Sequence, residues 1–310
     1  MKMKKLCKSI YYVLKLSIRV NFRSSIFVGY GIIKIHIRKV FILKELILLG
    51  TGNAMVTKCF NTCFAIKLDD EYFLVDAGGG NGILAQIEKA NIDMCHIHHM
   101  FVTHAHTDHV LGVIWVIRKI ATLINQGKYA GKFHIYCHDV SKNVIETIAK
   151  LTLKKKDLAQ ISENILFHEV TDGQQVEILS MQVIFFDILS TKAKQFGFCL
   201  DFEDGSSLCC LGDEPYNEVC RFYAKGADWL LAEAFCLYAD RDIFKPYEKH
   251  HSTVKEACEL AEKLKVKNLV LYHTEDKHIE NRKELYTQEG KQYYYGNLFV
   301  PNDLERINLN

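Results

Sequence analysis

The chain has little of what marks a fibrous, repetitive or membrane-spanning protein. Only 3 of its 310 residues are Pro, and it carries no low-complexity tract and no short fixed repeat, which excludes proline-rich extended chains and solenoids. Long apolar runs are missing from the N-terminal region. Its longest charge-free stretch, 24–33, is too short to span a bilayer. A cleavable signal is not expected either, because Lys15 and Arg19 interrupt any apolar core and no small-residue cleavage site follows. Acidic residues are absent from the first 44 positions, which hold 11 Lys or Arg; the first carboxylate is Glu45. The other 28 basic residues stand against all 37 acids, a net of −9. So acidic a body is poorly suited to gripping a phosphate backbone non-specifically. The 11 Cys, an odd number, show no regular framework and no zinc-finger spacing. Reduced thiols in a cytoplasmic protein are expected, most of them small buried hydrophobes.

What is present is a chain 49% hydrophobic, long enough for one large α/β domain with a substantial core. We place that domain at 45–310 and read 1–44 as a basic extension outside it, for which surface association with acidic lipids and an upstream start codon both stay open. Short β runs are expected at 46–49, 62–68, 72–75, 100–103, 133–137, 182–189, 198–202, 207–211, 229–231 and 268–272, with helices over 83–89, 141–153 and 253–264. A further helix carries the apolar stripe Leu111, Ile114, Ile117, Ala121, Ile124. Thr253-Val254-Lys255-Glu256 has the form of a capping box, which sets His251 just outside a helix N-terminus.

The strongest signal is His104-Ala105-His106-Thr107-Asp108-His109. Three imidazoles and a carboxylate within one turn-sized span are the donors of Zn²⁺ and its first-row neighbours. Several other expected strands also end in a donor: Asp213 after Leu211-Gly212, His273 after Tyr272, and Glu233 shortly after Leu231. Such ends gather on one edge of a layered sheet. His96, His98, His99, His134, His138 and His168 lack that setting and are read as surface or core-satisfied residues.

On these residues the chain resembles the metallo-β-lactamase fold superfamily over 45–310. Gly50-Thr51-Gly52-Asn53, Leu231-Ala232-Glu233-Ala234 and His251-Ser252-Thr253 are most similar to its ribonuclease Z-like branch of phosphodiesterases. The resemblance implies a four-layer αββα sandwich. It further implies two metal sites, zinc expected and Mn or Fe not excluded, with His104 and His106 on a first ion, Asp108, His109 and His273 on a second, and Asp213 bridging. A metal-bound hydroxide would attack phosphorus, Glu233 and His251 would form a proton relay, and Asp76 would orient a ligand imidazole.

Two positions depart from the family pattern. Leu189 stands where a third histidine of the first site is expected, with Asp187 as the nearest substitute, and Ala232 stands where a histidine precedes the glutamate. The first site is therefore expected to be weakened. The long RNA-gripping arm of transfer-RNA processing members is also missing, since only 24 positions separate Leu189 from Asp213. A small phosphodiester or other ester is thus favoured over RNA as substrate, and a homodimer is compatible with the family. Two alternatives stay open beside the phosphodiesterase: a catalytically degraded member that binds a ligand or partner, and a lactonase or thioesterase on the same fold.

Overall fold

The computed structural model describes residues 43–310 and the backbone of two short strands, β1 (Ser25–Val28) and β2 (Gly31–Lys34), which pair antiparallel. The chain divides into two units, Met1–Leu43 and Lys44–Asn310. Most of the basic extension lies outside the described residues. No helix among the described residues is long and apolar enough to cross a membrane.

In the second unit the strands run β3 (Lys44–Gly50), β4 (Cys63–Leu68), β5 (Glu71–Val75), β6 (Ile97–Val102), β7 (Phe133–Cys137), β8 (Ile165–Glu169), β9 (Gln175–Ile178), β10 (Met181–Asp187), β11 (Phe196–Asp201), β12 (Ser207–Cys210), β13 (Trp229–Glu233), β14 (Asn268–Tyr272), β15 (Asn297–Phe299) and β16 (Arg306–Asn308). The longer helices are α1 (Gly82–Lys89), α2 (Thr107–Asn125), α3 (Asp139–Thr152), α4 (Val254–Leu264) and α5 (Arg282–Gly290). They build two seven-stranded sheets, ordered β16-β3-β4-β5-β6-β7-β8 and β15-β14-β13-β12-β11-β10-β9. Pairing is antiparallel in the hairpin parts and parallel from β5 to β8 and from β12 to β15. Parallel strands end on a common edge, and crossover helices cover their outer faces.

Burial explains the layers. Between the sheets the filling is aromatic: Phe101 lies 4.7 Å from Phe185 and 5.6 Å from Phe198, and Phe73 meets Phe198 edge-on at 5.9 Å. Outside the first sheet, Ile83 and Ile87 of α1, Val113, Ile117 and Ile120 of α2 and Ile145 of α3 join Leu74, Met100 and Ile135 in one buried cluster. Outside the second, Ala257, Ala261 and Leu264 of α4 and Tyr286 of α5 pack on Leu230, Leu269 and Leu271. The result is the αββα sandwich.

The tyrosine-rich tail packs as a closing segment, with Tyr286 and Tyr294 both buried. Three of the unassigned histidines form a file across β6, β7 and β8: His99 stacks on His134 at 5.1 Å, and His134 Nδ1 lies 2.8 Å from His168 Nε2. One cysteine expectation needs correcting. Cys199 and Cys209 stand opposite each other in the β11–β12 register and are disulfide-bonded, a pairing set by the hairpin's length and invisible in spacing alone. The other eight cysteines among the described residues are free.

Candidate metal centre

The histidine-rich span occupies a strand-to-helix joint. After β6 the chain runs extended through Thr103 to His106, and α2 begins at Thr107 with His106 as its N-cap. The stripe beginning at Leu111 is thus preceded by one more helical turn. Asp108 sits in that first turn, where the positive end of the helix dipole favours a carboxylate. Asp108 and His109 are therefore held on a helix, while His104 and His106 are held on the extended approach.

The parallel strand ends bring the other donors to this joint. Asp213 follows β12 and His273 follows β14, and both are buried. Asp213 Oδ2 is the focus of the arrangement. It lies 3.7 Å from His104 Nε2, 3.5 Å from His109 Nε2 and 3.5 Å from His273 Nε2. Asp108 Oδ2 is 3.3 Å from His109 Nε2, and His106 Nδ1 is 2.8 Å from His104 Nε2. Two groups of converging donors result, His104/His109/Asp213 and Asp108/His109/His273. His109 Nε2 is buried with no hydrogen-bond partner.

Each of three rings has its outer nitrogen engaged. His109 Nδ1 lies 2.8 Å from Asp76 Oδ2, and Asp76 also accepts from the Thr103 N–H at 2.9 Å and the Thr103 hydroxyl at 2.7 Å. His104 Nδ1 lies 2.9 Å from Thr103 Oγ1. His273 Nδ1 lies 3.1 Å from Thr62 Oγ1, whose hydroxyl donates to the Gly52 carbonyl at 3.0 Å. In this network Nδ1–H donates outward and the Nε2 lone pairs converge inward, as metal ligation requires. Thr62 and Thr103 were not read from the sequence. A threonine carries no motif, and only Thr103's place beside His104 offered a hint.

The electrostatics suit a cation. Burial pushes His104 well below the usual imidazole range and His273 down to about 3, leaving both rings neutral with a lone pair to give. Burial opposes charge on His109 as well, but Asp108 and Asp76 outweigh it and hold that ring well above its ordinary value. Burial of Asp213 is likewise outweighed by the imidazoles that surround it, of which His109 carries the charge, and its carboxyl is held well below the usual carboxylate range. Three buried carboxylates, Asp76, Asp108 and Asp213, thus share the charge of one imidazolium, and a divalent first-row ion fits the donors better, displacing that proton.

Glu233 and His251 lie beside this cluster. Glu233 ends β13, and its Oε1 accepts from the backbone N–H and the hydroxyl of Ser252. Its Oε2 is 3.6 Å from His251 Nδ1, and both atoms are buried without a hydrogen-bond partner. The His251 ring stacks on Phe235 at 4.8 Å and lies 5.2 Å from the His273 ring. The Thr253–Glu256 capping box forms, fixing His251 just ahead of α4.

The departures fall differently from expectation. Leu189 does not line the centre: it is 54% exposed, at φ +53, with its N–H donated to the Asp187 carboxylate at 2.8 Å. The strand ends at Asp187, and the turn that this carboxylate caps throws Leu189 outward and occupies Asp187 itself. Ala232 is buried in the apolar cluster under α4, on the opposite strand face from Glu233. The residue that reaches His104 and Asp213 is Gln195, which the sequence reading missed; a lone glutamine in a polar loop gave no signal.

This fold and this donor set define a metal-dependent hydrolase of the metallo-β-lactamase fold. Among solved structures, the metallo-β-lactamase fold protein YhfI from Bacillus subtilis superimposes with a TM-score of 0.70 at 17% identity, covering 86% of this chain and 99% of that one. The short form of human tRNase Z gives 0.68 at 21% identity, with the same coverage. A curated relative, ribonuclease Z of Thermococcus sibiricus, is 25% identical over 303 residues, 86% of this chain and 96% of its own. The family model described as Anti-Pycsar protein Apyc1 matches residues 44–293, and the chain belongs to that family.

Proposed function

We propose that the protein is a phosphodiesterase acting on a small phosphodiester, with His104, His106, Asp108, His109, Asp213 and His273 holding a zinc pair or its Mn or Fe equivalent. The observation that carries this reading is the Glu233–His251 pair beside the donor cluster. When bound, the ions supply Lewis acidity that neutralises phosphoryl oxygens and makes water acidic enough to attack. The protein's own residues supply the rest. Asp76, Thr103 and Thr62 hold the ligand rings with Nε2 inward. Ser252 pins Glu233 Oε1, so that Oε2 faces His251 Nδ1 and steadies an imidazolium there. His251 Nε2 is then the nitrogen left to give a proton to the departing alkoxide. Phe235, stacked flat on His251, fixes the ring plane.

The course of β11 and β12 supports a small substrate. The chain between Leu189 and Asp213 is used up by a short loop and this hairpin, leaving no protruding arm to grip a folded RNA. His251→Ala tests the assignment. Hydrolysis of a phosphodiester with an unactivated alkoxide leaving group should fall roughly 10²-fold or more, while a p-nitrophenyl diester should lose less than about threefold. Equal losses on both substrates would remove His251 as the acid, and no cleavage of either by the Zn²⁺- or Mn²⁺-loaded wild type would end the phosphodiesterase reading.

A further inference from the structure

Asp213 is the donor on which the two halves of the centre depend, and its two oxygens have different surroundings. Oδ2 faces three imidazole Nε2 atoms at 3.5–3.7 Å. Oδ1 accepts a hydrogen bond from Gln195 Nε2 at 2.6 Å. The same amide nitrogen lies 3.2 Å from His104 Nδ1. With that ring's proton given to Thr103 Oγ1, the amide hydrogen is directed to Asp213.

Gln195 is built into this place. It is 1% exposed, its carbonyl accepts from the Ile188 N–H at 3.1 Å, and the next residue's N–H donates to the Thr103 carbonyl at 3.0 Å. Across from it, Gly212 adopts φ +83, and a Cβ there would stand 2.8 Å from Gln195 Nε2. Glycine at 212 therefore serves both the left-handed turn into Asp213 and the room for the amide. The hydroxyl of Tyr272 holds the Gly212 carbonyl, so backbone and side chain of Asp213 are fixed from two directions.

We propose that Gln195 is a positioning residue that occupies Asp213 Oδ1 and so presents Oδ2 alone as a bridging oxygen. A carboxylate free at both oxygens can chelate one ion and desert the other. At the His104/His106 side, where Leu189 brings no third imidazole, Asp213 is the only carboxylate donor assigned, so that side suffers first. This rests on the metal-centre reading above and extends it to the control of bridging.

The test is a Mn²⁺ titration of the metal-stripped full chain, followed by electron paramagnetic resonance, for wild type, Gln195→Met and Gln195→Glu. Methionine keeps the length and removes the donor; glutamate keeps the shape and replaces the donor with an acceptor. Wild type should take up two ions with the spectrum of an exchange-coupled pair. Both variants should keep one ion within about threefold of its wild-type affinity, lose roughly 10- to 100-fold on the other, and lose the coupled spectrum. Circular dichroism of the metal-free proteins reports folding, and if the methionine variant fails to fold the near-isosteric glutamate variant carries the test. Wild type binding two ions while both variants match it overturns the role of Gln195 alone, as does an equal loss at both steps, the mark of a merely structural contact. Wild type binding no ion overturns the metal centre itself.

Discussion

Asp76→Asn should disable the centre without touching a ligand, through a change of tautomer. The carboxylate accepts three hydrogen bonds: Oδ1 from the Thr103 N–H, and Oδ2 from the Thr103 hydroxyl and from His109 Nδ1, all between 2.7 and 2.9 Å. An amide has one oxygen. If that oxygen stays on the Thr103 N–H, the new NH₂ faces His109 Nδ1, and the ring must accept there and carry its proton on Nε2. Nε2 is the atom aimed at Asp108 and Asp213, so the lone pair needed for ligation is gone. If the amide flips instead, a buried N–H meets an NH₂, an unsatisfied donor worth about 1–3 kcal/mol. Either way the metal-free protein should lose about 1–3 kcal/mol in urea unfolding. Calorimetric titration with Zn²⁺ should show roughly a 10- to 100-fold loss of affinity, or about 1.4–2.7 kcal/mol. Nitrogen-15 chemical shifts of the imidazoles should report His109 protonated on Nε2. Affinity within about twofold of wild type, with His109 still carrying its proton on Nδ1, would refute the argument.

Two further outcomes concern stability. Burial, then His134, His98 and His168, push His99 down to about 4, and His134 and His168 are lowered with it. These rings stay neutral in the fold and protonate more readily in the unfolded chain, so their contribution is full above about pH 6.5 and is lost as pH falls toward 4. For His99 the loss is on the order of 2 kcal/mol after discounting for solvent around the half-buried ring; urea midpoints at pH 7 and pH 5 should converge less in wild type than in His99→Gln, and equal slopes would contradict this. Gly112→Ala should destabilise although alanine favours helix by about 1 kcal/mol. A Cβ at 112 would stand 1.8 Å from the Ala77 carbonyl oxygen, and forcing α2 off that loop costs about 1–3 kcal/mol, so a urea midpoint at or above wild type would show that the helix can move freely.

What the sequence made legible, and what it hid, follows from how each feature is encoded. His104, Asp213 and His273 were readable because each follows within three residues the end of a strand with a buried apolar run, where donors converge, and His106, Asp108 and His109 because they share one short motif with His104. The strands with such runs, β7 and β14 among them, fall where periodicity puts them. The edge strands β8, β9, β15 and β16 were missed, since alternation over three to five residues is too short to stand out from chance. α5 was missed because Arg-Lys-Glu-Leu-Tyr-Thr-Gln-Glu-Gly has no apolar stripe; it is held by tertiary burial of Arg282 and Tyr286. Within the site, Leu189 was misplaced by register alone. A strand that stops two residues earlier than its apolar pattern turns the next side chain outward, and the space near Asp213 goes to Gln195 from further along the loop.

The buried guanidinium of Arg282 has a consequence for how the centre comes into being. It donates to Thr274, next to His273, to Thr51 at 3.0 Å, to the Pro301 carbonyl at 2.9 Å and to Asn302 at 3.2 Å. Asp303 in turn accepts from Thr51 at 2.7 Å and from the Phe60 N–H at 2.6 Å, and β16 closes on β3. The donors themselves are spread from His104 to His273. During synthesis, therefore, the first strands of the body wait for almost the last ones, and an emerging chain holds four of the six assigned ligands after residue 109 and all six only after residue 273. Capture of a metal is in this way tied to completion of the fold.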